Sequence, residues 1–264
     1  MRPNGLAIAI PKGRLFEGAL SLFSRLGVTA PEALRGGRRL VAEDPERGWR
    51  FLCIRAVDVA TYVEHGAADA GIVGKDQLLE HQQDVYEPLD LKFGECRLVV
   101  AEPAALSQTD DPRRWSYIRV ATKYPNLTER HFAARGVQVE VLKLGGSVEL
   151  APLVGLAERV VDLVATGRTL RENDLVEVEE IARASARLIV NRASLKTKHA
   201  EVRRLIEALR SSLPLAPLPP EPFDYAQPMP AEGPVERGAS KGGPPERNLA
   251  ASGGEGEGEG GGAP

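Results

Sequence analysis

Asp162 closes in on the end of an apolar run, Val160-Val161-Asp162-Leu163-Val164, and Ala165-Thr166-Gly167-Arg168-Thr169 follows it directly. Small and hydroxyl-bearing residues around a glycine, placed after a strand, suit a phosphate. Backbone N–H groups and the hydroxyls of Thr166 and Thr169 supply donors, and Gly167 lets the backbone approach. Thr169-Leu170-Arg171-Glu172 has the spacing of a capping box, which predicts that the loop ends on a helix N-terminus whose dipole favours an anion. Asp162 is then placed to hydrogen-bond sugar hydroxyls or to reach a bound Mg²⁺. Threonines also cap helices that bind nothing, so this string alone leaves both readings open.

Three further segments put charge at strand ends. Ile10-Pro11-Lys12-Gly13-Arg14-Leu15 places two cations after the first apolar run, where open α/β sheets bind ligands. Arg14 can grip a phosphate bidentately and Lys12 as a point charge. Arg55 follows another run, Phe51-Leu52-Cys53-Ile54, and Asp69 to Asp76 forms a glycine-bounded strand with charges at both ends. Each segment alone reads as structural; their joint occurrence at strand ends favours a functional reading.

These groups require a scaffold of alternating strands and helices. Buried strands are predicted over Leu6–Ile10, Trp49–Ile54, Ala70–Val73, Arg97–Ala101, Ile118–Ala121, Val137–Leu142 and Val160–Val164. Helical spacing runs over Phe16–Leu26, Val57–His65 and Lys75–His81, opens again at Pro125-Asn126, and ends with Leu195–Leu209. Val176–Val178 and Arg187–Asn191 read as extended. Near-continuous apolar strands alternating with helices predict an α/β fold with largely parallel sheets. From Pro214 the chain turns glycine- and proline-rich and ends in alternating Gly and Glu, the composition of a disordered tail.

Composition excludes several classes. A net charge of -3 over 264 residues gives no general attraction to nucleic acid or anionic membranes. No run approaches the roughly 20 apolar residues of a spanning helix, and the opening residues lack a secretion signal, so a cytoplasmic protein is expected. Cys53 and Cys96 sit in apolar runs and read as buried free thiols. His65, His81, His131 and His199 are scattered without metal-ligand spacing.

The residues now carry a resemblance. Ala7 to Leu15, Arg55 to Asp76, Ala121-Thr122-Lys123-Tyr124-Pro125-Asn126-Leu127-Thr128, and Gly146-Ser147-Val148-Glu149-Leu150-Ala151-Pro152 followed by Asp162 to Leu175 resemble, in order, the blocks of ATP phosphoribosyltransferases. The likeness covers roughly Leu6 to Glu207. Departures are small: Ala56 and Val57 replace a usual proline and serine, and Ala165 a common serine. The resemblance implies two α/β lobes like a type II periplasmic binding protein, with a ligand cleft between them. Lobe one would span 1–92 with 180–212, lobe two 93–179, and 213–264 the disordered tail.

It also implies the first step of histidine biosynthesis, in which adenine N1 of ATP attacks the anomeric carbon of 5-phosphoribosyl 1-pyrophosphate and releases pyrophosphate. Asp162 and Glu149 are the candidate carboxylates for a developing oxocarbenium ion. Asp162 and Ala165, Thr166, Gly167, Arg168 and Thr169 would hold phosphoribosyl pyrophosphate. Lys12, Arg14, Arg55 and Asp76 would line the ATP and pyrophosphate side, with Tyr124 beside adenine or ribose. Mg²⁺ is the expected cofactor, carried mainly by substrate with Asp162 as its candidate protein contact. No C-terminal regulatory domain is legible, which implies the short form, a self-associating subunit working with a separate regulatory subunit resembling a histidyl-tRNA synthetase. The alternative is a non-catalytic two-lobed small-molecule-binding protein, because a fold does not fix a function.

Overall fold

Eleven strands and nine α-helices divide between two sheets in the computed structural model, which describes residues 5–35 and 38–213. The chain begins with β1 (Ala7–Pro11), α1 (Phe16–Arg25), β2 (Val41–Asp44), β3 (Trp49–Ile54), α2 (Val59–Glu64), β4 (Ala70–Gly74), α3 (Lys75–His81) and β5 (Tyr86–Asp90). It continues with β6 (Cys96–Pro103), α4 (Ala104–Ser107), β7 (Tyr117–Thr122), α5 (Pro125–Ala134), β8 (Gln138–Lys143), α6 (Leu150–Leu153), β9 (Arg159–Val164), α7 (Arg168–Glu172) and β10 (Leu175–Ala184). It returns through β11 (Ala186–Val190), α8 (Arg192–Thr197) and α9 (His199–Ser212). The tail expected over 213–264 lies outside the described residues from 214 onward. Among the described residues no helix is long and apolar enough to cross a membrane.

Strand order is β2-β3-β1-β4-β11-β5 in the first sheet and β10-β6-β9-β7-β8 in the second. Both sheets carry helices on both faces. Ile8 and Ile10 of β1 pack with Phe23 of α1 and Leu205 and Leu209 of α9, whereas Ala9 packs with Val59 and Val63 of α2. In the second sheet Val120 and Val161 meet Phe132 of α5, and Val160 and Val164 meet Ala151 of α6 and Leu170 of α7. Alternation of side chains along each strand therefore fills two cores per sheet.

The expectation of largely parallel sheets is corrected: both are mixed. Parallel pairs join β1 to β3 and β4, and β7 to β8 and β9. Antiparallel pairs set β11 against β4 and β5, β2 against β3, and β6 against β9 and β10. The reason is topological. The chain leaves the first sheet after β5 and re-enters it as β11, so no crossover helix enforces a parallel return. β10 stays paired to β6 as far as Ala184 with Cys96, which carries the second sheet past the expected boundary at 179 and 180. Two β-bulges in β10 accompany this length.

The single helix expected over Leu195–Leu209 is two, α8 and α9, divided at Lys198. There the backbone leaves helical geometry while the ammonium bonds the buried Asp69 carboxylate at 2.8 Å and the Gly5 carbonyl at 2.9 Å.

Candidate active site

A pocket of about 360 Å³ opens at the ends of the second sheet's central strands. Asp162 and Glu149 line it together with Ala165, Thr166, Gly167, Arg168 and Thr169, so the structure gathers the whole acid-and-loop set predicted from the sequence. Asp162 projects from β9, whose neighbour strands fix its backbone through pairing with Val99 of β6. Glu149 precedes α6, after a turn in which Ser147 adopts a left-handed φ of 47°.

The loop itself turns on Gly167, at φ 72°, which serves as the N-cap of α7. An added Cβ there would meet only the flexible end of the exposed Arg171 side chain, so the position favours glycine on conformation. The expected capping box does not form. α7 begins at Arg168, which places Thr169 inside the first turn with no side-chain cap at Gly167. The glycine turn starts the helix earlier than the threonine spacing implied. The result still suits an anion, because the first N–H groups of a helix have no intrahelical acceptor. Thr166 and Thr169 are exposed around them.

Lys123 also lines the pocket, its ammonium 3.8 Å from the Asp162 carboxylate. Lys123 lies within the block Ala121–Thr128 but is not among the expected site residues; its place immediately after β7 is the signal the sequence carries for it. Burial pushes the Asp162 carboxyl above its usual range, Lys123 and the Leu163 N–H pull it down, and Glu149 pushes it up again. Two carboxylates facing one pocket in this way are poised to gain from any cation that enters.

The remaining predicted residues do not line this pocket. Lys12 and Arg55 follow β1 and β3, which are paired in parallel with Pro11 opposite Ile54, so the two cations emerge side by side at one sheet end. Arg14 lies 3.7 Å from Asp76 and bonds the Gly94 carbonyl. Asp76, only 5% exposed, receives the Tyr124 hydroxyl at 3.0 Å and the Gln77 amide at 2.9 Å on one oxygen. Its other oxygen has no hydrogen-bond partner, an unusual state for a buried carboxylate. Tyr124 therefore links the sheets: it belongs to the second, and its hydroxyl meets an acid of the first. Burial raises its phenol, and both Asp76 and Asp162 raise it further, so Tyr124 stands electrostatically between the two groups of residues.

Sequence and fold comparisons bear on the family and the fold. The family model described as "HisG: ATP phosphoribosyltransferase" matches residues 55–211. An ATP phosphoribosyltransferase of Syntrophotalea carbinolica is 62% identical over 208 residues, covering 79% of this chain and 95% of the relative. A structure of the ATP phosphoribosyl transferase (HisG:HisZ) complex from Thermotoga maritima superposes with a TM-score of 0.68 at 35% identity, covering 78% of this chain and 98% of that one. The periplasmic aliphatic sulphonate binding protein SsuA from Escherichia coli, at 13% identity and a TM-score of 0.51 over 80% of this chain and 68% of its own, shares the fold alone. A family model matched over residues 55–211 and a relative 62% identical over 95% of its own length establish that the chain belongs to the ATP phosphoribosyltransferase family.

Proposed function

We propose how this chain performs its family's reaction, in which adenine N1 of ATP displaces pyrophosphate from the anomeric carbon of 5-phosphoribosyl 1-pyrophosphate. The observation that carries the assignment is the pocket in which Asp162 and Glu149 stand beside the Ala165–Thr169 loop. The loop N–H groups and the hydroxyls of Thr166 and Thr169 hold the 5-phosphate. Asp162 bonds the ribose hydroxyls, and with Glu149 it faces the ring as positive charge develops there. Lys123 keeps Asp162 oriented and adds positive charge near the substrate's phosphates. Lys12, Arg14 and Arg55 hold the polyphosphate of ATP and the departing pyrophosphate, which leaves with the electron pair of the broken C–O bond. Tyr124 and Asp76 position the adenosine between the sheets. Adenine N1 attacks with a lone pair, so no base has to remove a proton first.

Two pocket carboxylates suit Mg²⁺, which is commonly held by one or two carboxylates together with substrate phosphates. Asp162 and Glu149 are the residues that would contact it, and the ion would neutralise charge building on the leaving pyrophosphate. Lobe one is assigned to 1–92 with 186–212 and lobe two to 93–184, the boundary moved from 179 and 180 to the end of β10, with the ligands between them and closure excluding water.

The short form is supported by a relative that is matched over 95% of its own length. The Thermotoga maritima structure was solved as a HisG:HisZ complex, and a corresponding separate regulatory subunit is inferred for this chain. Two buried free cysteines agree with a reducing cytoplasm.

The test is an assay of the purified chain with ATP, phosphoribosyl pyrophosphate and Mg²⁺, read as N1-ribosylated adenine by ultraviolet absorbance with pyrophosphatase present. Product from the chain alone confines the partner to regulation. Product only after adding the regulatory subunit means that the partner completes the active state. No product in either case, with both proteins folded, would place the binding-protein reading first.

A further inference from the structure

We propose that Glu80 is a positioning residue for the transfer reaction, capping α5 from α3 and thereby fixing where Tyr124 meets Asp76. The inference rests on Tyr124 and Asp76 lying on the substrate side, as assigned above.

α5 cannot cap itself. Its N-cap is Tyr124, which makes no side-chain cap, and Pro125 at the first helical position has no N–H. The next two N–H groups, of Asn126 and Leu127, both donate to Glu80, one to each carboxylate oxygen, at 3.0 and 2.9 Å. The exchange is reciprocal. The Asn126 amide donates to the Glu80 carbonyl at 3.1 Å, and Arg130 donates to the Leu79 carbonyl. The last carbonyls of α3 thus accept from side chains of α5, and the first N–H groups of α5 donate to a side chain of α3, across 46 residues of sequence.

Glu80 is 2% exposed, so its contacts are sheltered from water. Asp76 lies one turn earlier on the same face of α3, and Tyr124 is the residue from which α5 starts. Two attachments, the Glu80 cap and the Tyr124–Asp76 bond, therefore join the same pair of helices one turn apart. Asn126 and Arg130 hold the end of α3 through flexible side chains, whereas the Glu80 cap grips the backbone of α5 directly and so fixes the helix start at Tyr124. It also holds the backbone next to Lys123, whose ammonium faces Asp162.

The test uses the full chain as Glu80→Gln, Tyr124→Phe and the double variant. Glutamine keeps the size but turns an NH₂ toward one of the two N–H groups. Glu80→Gln is expected to lower kcat about tenfold or more while the KM values move little, since a misplacement of about 1 Å can cost up to ~10²-fold. The double variant should be no slower than the slower single variant, because Tyr124→Phe already removes what the cap positions. An independent reading is the tyrosine Cζ signal in ¹³C NMR, assigned to Tyr124 by its loss in Tyr124→Phe. That signal should shift in Glu80→Gln whether or not the reaction assignment holds. An unmoved Tyr124 signal, a lower melting temperature with unchanged kcat, or losses that multiply in the double variant would each overturn the proposal. A wild-type chain without transfer activity but with a shifted signal would instead remove the reaction reading and leave the positioning intact.

Discussion

Replacing Asp162 by asparagine should separate catalysis from stability. The change keeps the side chain's size and removes its charge. If Asp162 faces the ribosyl ring as charge develops, its loss removes one preorganised electrostatic contact, worth about 3–4 kcal/mol, so kcat/KM should fall roughly 10²–10³-fold. Stability should move the other way or stay put. Burial outweighs Lys123 and lifts the Asp162 carboxyl above its usual range, so at neutral pH the ionised group opposes folding. What asparagine forfeits is an ion pair at 3.8 Å whose lysine is 39% exposed, and such pairs contribute about 0–1 kcal/mol. The variant should therefore unfold within about 1 kcal/mol of the wild type. Because the folded value is raised, Asp162 supports the fold most at low pH. That support fades as pH climbs from the ordinary carboxylate value, about 3.9, through the raised one. Denaturant titrations across this window should show the variant gaining on the wild type as pH increases. Undiminished kcat/KM, or a stability loss well beyond 1 kcal/mol, would refute the reasoning.

Gly167→Ala forces an L-residue to φ 72°, which should cost roughly 1–2 kcal/mol in denaturant and raise the KM for phosphoribosyl pyrophosphate more than that for ATP. Equal KM values would remove Gly167 from the phosphate loop. Asp69 is the opposite case to Asp162. Burial pushes its carboxyl up, but the Ala7 N–H, Lys198 and Ser194 together hold it below its usual range. Its support is thus present above about pH 3.9 and lost as pH falls through the depressed value. Asp69→Asn should cost roughly 3 kcal/mol near neutrality and flatten that part of the acid-unfolding profile; an unchanged profile would argue against the network. Chelating divalent cations should abolish turnover, reversibly on adding Mg²⁺, without changing the melting temperature. Turnover that persists in chelator would discard the assignment of magnesium.

Local chemistry made much of this protein legible in its residues. The string from Val160 to Thr169 is contiguous, so the strand, the acid and the glycine loop could be read together, and they fold into one pocket. Periodicity located β3 and α3 at their observed bounds because each carries its own apolar pattern. Other elements have no such pattern. β2 is the short Val41-Ala42-Glu43-Asp44 and β5 contains Pro88, so both become strands by pairing with β3 and β11 at the sheet's margins.

Tertiary structure alone decided the rest. The return of the chain as β11 made the first sheet mixed, and the break between α8 and α9 falls at Lys198, whose ammonium bonds Asp69. Residue types announced Asp76 and Tyr124 as polar groups. That one's hydroxyl would meet the other's carboxylate, beside a helix start capped from another helix, depends on α3 and α5 being packed together. Propensity and spacing act over a few residues, whereas a buried hydrogen bond is set by which elements the core brings into contact.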